Sequence, residues 1–132
     1  MKKRKDVYIT STLKSERNRN FNPLLCQKLE EKGITCHLPQ RDTNQKGTEE
    51  DKFSQNIDGI KDSNSILAIG INESINRWLE VGYGFGCQKK IILLTDKNHT
   101  IPTMSLGMFD NIVRVENIDD IDGYIDRLLH SL

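Results

Sequence analysis

The sequence predicts an α/β protein, a doubly wound sheet of five parallel strands in one domain spanning residues 1–132. Three observations carry that reading. Short apolar runs alternate with longer stretches of helical patterning along the chain. One of them, Ile66 to Ile69, is apolar at every position, as a strand covered on both faces should be. The stretches between the runs are long enough for the helical crossovers that parallel strands require.

Val7 to Thr10 reads as the first strand, and Asn22 to Lys32 as a helix stopped by Gly33. Ile34 to Leu38 fits the second strand, followed by a polar, charge-rich loop from Pro39 to Gly47. Thr48 with Asp51 three residues on forms a capping pattern for a helix running to about Lys61. The Ile66 to Ile69 strand leads through the loop Gly70 to Asn76 into a glycine-rich helix that carries Glu80. Lys90 to Leu94 and Ile112 to Val115 are the fourth and fifth strands. Ile118 to Leu132 closes the chain as an amphipathic helix with Ile121, Tyr124, Ile125, Leu128 and Leu129 on one face. With helical crossovers throughout, the expected strand order is 2-1-3-4-5, the flavodoxin-like arrangement.

Composition narrows the function classes. At 132 residues the chain can bury a core without disulfides or a structural metal. Nineteen basic and nineteen acidic residues cancel, which argues against nucleic acid or an anionic membrane as the main partner. The leading MKKRK is expected to be a solvated terminus; it lacks the apolar stretch of a signal peptide, and no segment has the length of a membrane span. Cys26, Cys36 and Cys87 are odd in number and lack metal-ligand spacing, which suggests reduced thiols in a cytoplasmic protein. Cys26 and Cys87 fall within helical patterns and are expected to pack as small apolar residues. His37, His99 and His130 are scattered, as surface or loop histidines would be, and offer no zinc site.

Chemistry concentrates in the run from Ser65 to Leu94. Ligands of an open parallel sheet bind at the carboxyl ends of its strands, so the loop after the Ile66 strand and the first turns of the next helix line the expected crevice. Glu80 sits at that edge, where the positive end of the helix would favour an ionised carboxylate suited to nucleophilic attack; the alternative is a glutamate that simply faces water. Gly82, Gly84 and Gly86 form G-x-G-x-G, yet inside a helix after the third strand, which excludes a dinucleotide fingerprint and suggests close packing on the sheet.

Four blocks now carry a family resemblance: Val7-Tyr8-Ile9-Thr10-Ser11; Asn56-Ile57-Asp58-Gly59-Ile60-Lys61; Leu79-Glu80-Val81-Gly82-Tyr83-Gly84; and Met104-Ser105-Leu106-Gly107 with Asp110-Asn111-Ile112-Val113. In this order and spacing they resemble the nucleoside 2-deoxyribosyltransferase family over nearly the whole chain. The resemblance implies a compact flavodoxin-like fold that cleaves or exchanges the N-glycosidic bond of deoxynucleosides, with Glu80 as nucleophile and Tyr8 holding it by its hydroxyl. Tyr8 is otherwise an ordinary strand aromatic with its hydroxyl at the rim. A glycosyl ester on Glu80 would split one hard displacement into two easier steps. No metal or organic cofactor is implied, and the partner implied is a small nucleoside or nucleotide.

Departures from the family pattern shape the rest. The transferases carry aspartates where this chain has Ser74 and Asn56, so Asp58, Asp62 or Glu73 would have to protonate the leaving base. Serine at position 74 resembles the branch that hydrolyses 2′-deoxynucleoside 5′-monophosphates, in which serines grip the phosphate. Ser11 matches the first of these, with Lys14 or Arg17 adding charge, although that branch's arginine is Leu13 here. For Ser11 and Ser74 the competing reading is turn or N-cap chemistry. Ile101 to Gly107 resembles a loop that reaches a neighbouring subunit's site, implying a homodimer or higher oligomer. The family's asparagine there is Pro102, leaving Thr103 and Ser105 as polar contributors. Trp78 fits either base stacking or a core edge or interface, and Arg77 brings bulk where the family prefers small residues, which would narrow the sugar pocket. Three functions therefore stand as expectations: a glycosyl-Glu80 transferase or N-glycosidase, a non-catalytic nucleotide-binding protein of the same fold, and a TIR-like NAD glycohydrolase.

Overall fold

A computed structural model describes residues 4–132. Residues 1–3 of the MKKRK terminus lie outside the described residues, and Lys5 already opens the first strand. In chain order the elements are β1 (Lys5–Thr10), α1 (Glu16–Glu31), β2 (Cys36–His37), α2 (Pro39–Asp42), α3 (Glu49–Lys61), β3 (Ser63–Ile69), α4 (Ile75–Gly86), β4 (Lys90–Asp96), α5 (Thr103–Leu106), β5 (Asn111–Val115) and α6 (Ile121–Ser131). The strands form one parallel sheet in the order β2-β1-β3-β4-β5, the expected flavodoxin-like topology.

Strand alternation sends successive side chains to opposite faces and so builds two cores. Val7, Ile9, Leu67, Ile69, Ile92 and Leu94 pack on one side with apolar residues of α1 and α6. Tyr8, Ile66, Ala68, Ile91 and Leu93 pack on the other with Ile60 of α3 and Val81 of α4. This second side is the one that carries the chemistry.

Several boundaries differ from the sequence expectation. Helix α1 begins at Glu16 rather than Asn22 and runs through Pro23. A proline there cannot bond the Arg19 carbonyl one turn back, and the Gln40 side chain does so instead at 3.1 Å. Strand β2 keeps only two residues of the expected Ile34 to Leu38. The expected loop after it holds α2, with Pro39 in its first turn and Asp42 Oδ2 accepting from the Leu38 N–H at 2.9 Å. Ile118 precedes α6 rather than joining it, and its carbonyl accepts from the buried Tyr124 hydroxyl at 2.5 Å. The Thr48–Asp51 capping box forms as expected, and Gly33 ends α1 at φ +88°.

Only one of the three α4 glycines serves packing on the sheet. A Cβ on Gly84 would fall 1.9 Å from Ile66 Cδ1, so α4 lies flat on β3 there, whereas Gly82 and Gly86 face open space. Cys26 and Cys36 are buried as small apolar residues, but Cys87 is exposed at the C-cap of α4. Of the histidines only His130 is exposed; His37 and His99 are half-buried.

Candidate functional site

The site is assembled where β1 ends against α4. Tyr8 and Thr10 are two residues apart on β1 and so point to the same face. Glu80 projects from the sheet-facing side of α4, and each of its oxygens meets one hydroxyl. The Tyr8 phenol donates to Oε2, and Thr10 Oγ1 donates to Oε1 at 2.8 Å. Both donors are wholly buried. Burial raises the Glu80 pKa, while the Tyr8 and Thr10 bonds pull it back down. Burial, and then the charge of Glu80, push the Tyr8 phenol well above its ordinary range, so it stays a donor throughout the physiological pH range. Glu80 is the sixth residue of α4, past the first turn to which the helix-end field is confined. Hydroxyl donors, rather than the helix terminus, are what hold this carboxylate.

The opposite side of Tyr8 is braced. His37 is its register partner on β2, and the two rings stack at 5.0 Å and 16°. Gly59 of α3 makes room for that imidazole, since a Cβ there would come within 2.9 Å of the ring. His37 Nε2 lies 3.4 Å from Thr43 Oγ1, which donates to Asn56 Oδ1 at 2.7 Å. Beyond His37 a cleft of about 590 Å³ opens along α3 past Gln55 and Asp58 to Arg4, Lys5 and Asp62. It reaches the amino ends of the strands, so it is not the crevice expected at their carboxyl ends.

A family model described as nucleoside 2-deoxyribosyltransferase like matches residues 4–98, a stretch that contains Tyr8, Thr10 and Glu80. The chain belongs to the nucleoside 2-deoxyribosyltransferase-like family. The match ends before the Met104–Gly107 and Asp110–Val113 blocks. No curated protein matches the chain. Among solved structures, the CMP N-glycosidase BcmB of Clostridium botulinum superposes with a TM-score of 0.74 at 21% identity, covering 97% of this chain and 100% of its own. A 2-deoxyribosyltransferase of Bacillus psychrosaccharolyticus gives 0.74 at 20% identity, covering 90% and 91%. The TIR domain of a Toll-related receptor from Hydra magnipapillata gives 0.70 at 18% identity, covering 96% and 95%. At these identities the likeness is one of fold.

Within this deoxyribosyltransferase-like chain, the remaining candidates separate into two groups. Ser74 caps α4, accepting from the Arg77 N–H at 3.3 Å, and Ser11 accepts from Asn18 Nδ2 at 3.0 Å. Both stand at the carboxyl edge beside the Glu80 cluster, and each hydroxyl retains a proton to donate. Lys14 is exposed in the same loop as Ser11. The others are placed elsewhere. Arg17 is turned to Asp119 at 3.0 Å, Asn56 is bound to Thr43 behind His37, and Ser105 is the buried residue of α5. Trp78 is half-buried and edge-on to Phe109 at 6.3 Å.

Arg77 does not narrow a sugar pocket. Its side chain is 2% exposed, and Nη1 donates to the carbonyls of Ile69 at 2.8 Å and Ile71 at 3.0 Å, clasping the end of β3. Burial lowers its pKa to about 10, against the opposing charge of Glu73. The guanidinium also lies 4.2 Å from the Trp78 ring centroid. Among the acids named as proton donors, Asp62 caps the C-terminus of α3 just before β3 and so stands at the wrong edge of the sheet, while Glu73 lies in the loop after β3.

Sequence reasoning missed Thr10, His37 and Thr43. Thr10 carried a signal, since a residue two places after Tyr8 on a strand shares its face. His37 needed the parallel register that pairs it with Tyr8, and Thr43 needed the turn built by α2. Among the described residues no cluster of three or more His, Cys, Asp or Glu side chains is placed to hold a metal, and no helix is long and apolar enough to cross a membrane.

Proposed function

We propose that the protein cleaves or exchanges the N-glycosidic bond of a 2′-deoxyribonucleoside or its 5′-monophosphate through a glycosyl ester on Glu80. The observation that carries this reading is the paired donation of Tyr8 and Thr10 to the two oxygens of one half-buried carboxylate at the carboxyl edge of a parallel sheet. Such a carboxylate has fixed orientation, as a nucleophile requires. One Glu80 oxygen attacks the sugar C1′ as the C1′–N bond breaks, and the bonding pair leaves on the base nitrogen, which takes a proton. Water or a second base then attacks C1′ and returns the carboxylate.

Ser11 and Ser74 support a phosphate at the sugar 5′ position, because both hydroxyls stand at this edge with protons to give. Glu73 is the acid whose loop keeps it at the same edge and is the candidate to protonate the departing base. The pattern of unpaired thiols is that of a protein working in a reducing compartment.

The test is release of free base from deoxynucleosides, their 5′-monophosphates and NAD, each with and without a second base as acceptor. Release from a deoxynucleoside or monophosphate that disappears in Glu80→Ala supports the proposal, and acceptor incorporation separates exchange from hydrolysis. Binding seen as a thermal shift without release would favour a nucleotide-binding role. Nicotinamide release from NAD alone would favour the TIR-like reading.

A further inference from the structure

Ile71 and Asn72 share one peptide unit in the loop after β3, and both of its polar atoms are held by side chains. The Ile71 carbonyl accepts from Arg77 Nη1 at 3.0 Å and from Asn18 Nδ2 at 3.4 Å, while the Asn72 N–H donates to His99 Nε2 at 3.2 Å. Asn72 sits at φ +58°, a left-handed conformation that a residue other than glycine keeps only where its surroundings hold it. A backbone N–H can only donate, so His99 Nε2 is the acceptor and the ring proton stands on Nδ1, 2.7 Å from Asp96 Oδ1. Burial works to raise the Asp96 pKa, but bonds from His99 and the Asn98 N–H hold it below the ordinary carboxylate range, so it remains an ionised acceptor at neutral pH.

The order of donors continues inward. The Ile71 carbonyl can only accept, which turns the amide nitrogen of the wholly buried Asn18 toward it and leaves Asn18 Oδ1 to accept from Asn72 Nδ2. The second hydrogen of Asn18 Nδ2 goes to Ser11 Oγ at 3.0 Å. Ser11 is thereby an acceptor toward the protein, and its own proton is directed away from Asn18 at the carboxyl edge. Ser74, which accepts from the Arg77 N–H, is in the same state.

We infer that Asp96 and His99 are positioning residues that act through the peptide joining Ile71 to Asn72, and through Asn18, to fix Ser11 as a donor into the site, so that the site selects the phosphate of a 2′-deoxynucleoside 5′-monophosphate over the 5′-hydroxyl of the nucleoside. An ionised phosphate offers acceptor oxygens alone and takes charge-assisted bonds from two donors at once, whereas a hydroxyl brings a proton of its own and no charge. Loops after β1, β3 and β4 and the first turn of α1 all enter this chain of bonds, so its polarity is a property of the whole carboxyl edge. The inference rests on the reading of the Glu80 site as one for deoxynucleosides or their monophosphates.

Calorimetric titration of the full chain, in a Glu80→Gln background that spares the ligand, with the common 2′-deoxynucleoside 5′-monophosphates and the matching nucleosides tests it. At least one monophosphate is expected to bind roughly 10-fold or more tightly than its nucleoside. His99→Asn, whose amide reaches Asp96 but not the Asn72 N–H, should bring that ratio close to unity. His99→Gln, whose Oε1 takes the place of Nε2, should keep most of it. A merely structural role would weaken nucleotide and nucleoside alike and leave the ratio standing. In the wild type, the nitrogen NMR shifts of the His99 ring at mildly alkaline pH should show the proton on Nδ1, a measurement that needs no variant to fold. A proton on Nε2 overturns the inference, as do binding of no monophosphate, equal binding of nucleotide and nucleoside, or a ratio that His99→Asn leaves intact. Base release by the wild type without a phosphate preference sinks this inference alone. The preference and its rescue by glutamine, with no base released, would instead remove the Glu80 chemistry and leave the positioning role standing.

Discussion

Thr10 and Glu80, seventy residues apart in sequence, are joined by a 2.8 Å hydrogen bond from hydroxyl to carboxylate, while Tyr8 takes the second carboxylate oxygen. The same strand thus supplies both donors to one acid on the helix that follows its neighbour. Because these donors favour the charged form and burial disfavours it, the protonation state of Glu80 is set by a contest between them.

Removing either donor tilts that contest toward the neutral acid. Tyr8→Phe and Thr10→Val should each raise the Glu80 pKa further, moving the acidic limb of the pH profile for base release to higher pH. A hydrogen bond to a charged group contributes about 1.5–3 kcal/mol, so the rate at neutral pH should fall roughly 10-fold or more. Carboxyl titration by NMR checks the shift; an unmoved acidic limb in both variants would contradict it.

Stability should show the same contest with opposite sign. A carboxyl whose folded pKa is raised binds its proton more tightly in the folded state, so its contribution is fully present below the unfolded pKa and is lost as pH rises through the folded value. At neutral pH, Glu80→Gln removes a half-buried charge and should stabilise the fold by about 1 kcal/mol, a gain that vanishes in acid. Thermal melts across pH check this, and a gain that grows in acid would refute it. The same variant should lose base release roughly 10³-fold or more if the carboxylate is the nucleophile.

Arg77 should matter to the fold. Arg77→Met leaves the carbonyls of Ile69 and Ile71 without their guanidinium donor and should cost roughly 2–4 kcal/mol in urea denaturation. Arg77→Lys should recover only part of that, since both bonds come from Nη1 at the far tip of the guanidinium, which the shorter lysine side chain does not reach in the same position. A loss of substrate affinity without loss of stability would place Arg77 in the pocket instead.

Two glycines two positions apart should respond in opposite directions. Gly84→Ala drives a methyl into Ile66 and should destabilise by about 1–3 kcal/mol, whereas Gly82→Ala meets open space and should gain about 0.5–1 kcal/mol of helix propensity. Equal effects of the two, measured by denaturation, would mean that α4 does not rest on β3 as described.

The sheet order and the position of Glu80 were legible in the sequence because both follow from local pattern: apolar runs for strands, a capped helix after the central strand. Tyr8 was legible through the resemblance, and its partner Thr10 only through the period of the strand. What was illegible depended on register and on backbone accounting. His37 reaches Tyr8 because β2 pairs with β1 in one alignment and no other. Residue 77 read as bulk in a pocket because nothing in the sequence says that a guanidinium turns back onto the carbonyls of its own preceding strand. Gly82 and Gly86 read as packing glycines because the sequence does not show which side of a helix meets the sheet.

Strand β2 has a further consequence. As an outermost strand it contributes only Cys36 and His37 to the ladder, and the chain turns at once into α2 with Pro39 in its first turn. An outer edge of two residues, bounded by a proline, offers almost no unpaired backbone on which a foreign strand can build. That border of the sheet is therefore protected against the edge-to-edge growth that leads to amyloid, at the cost of a shorter ladder.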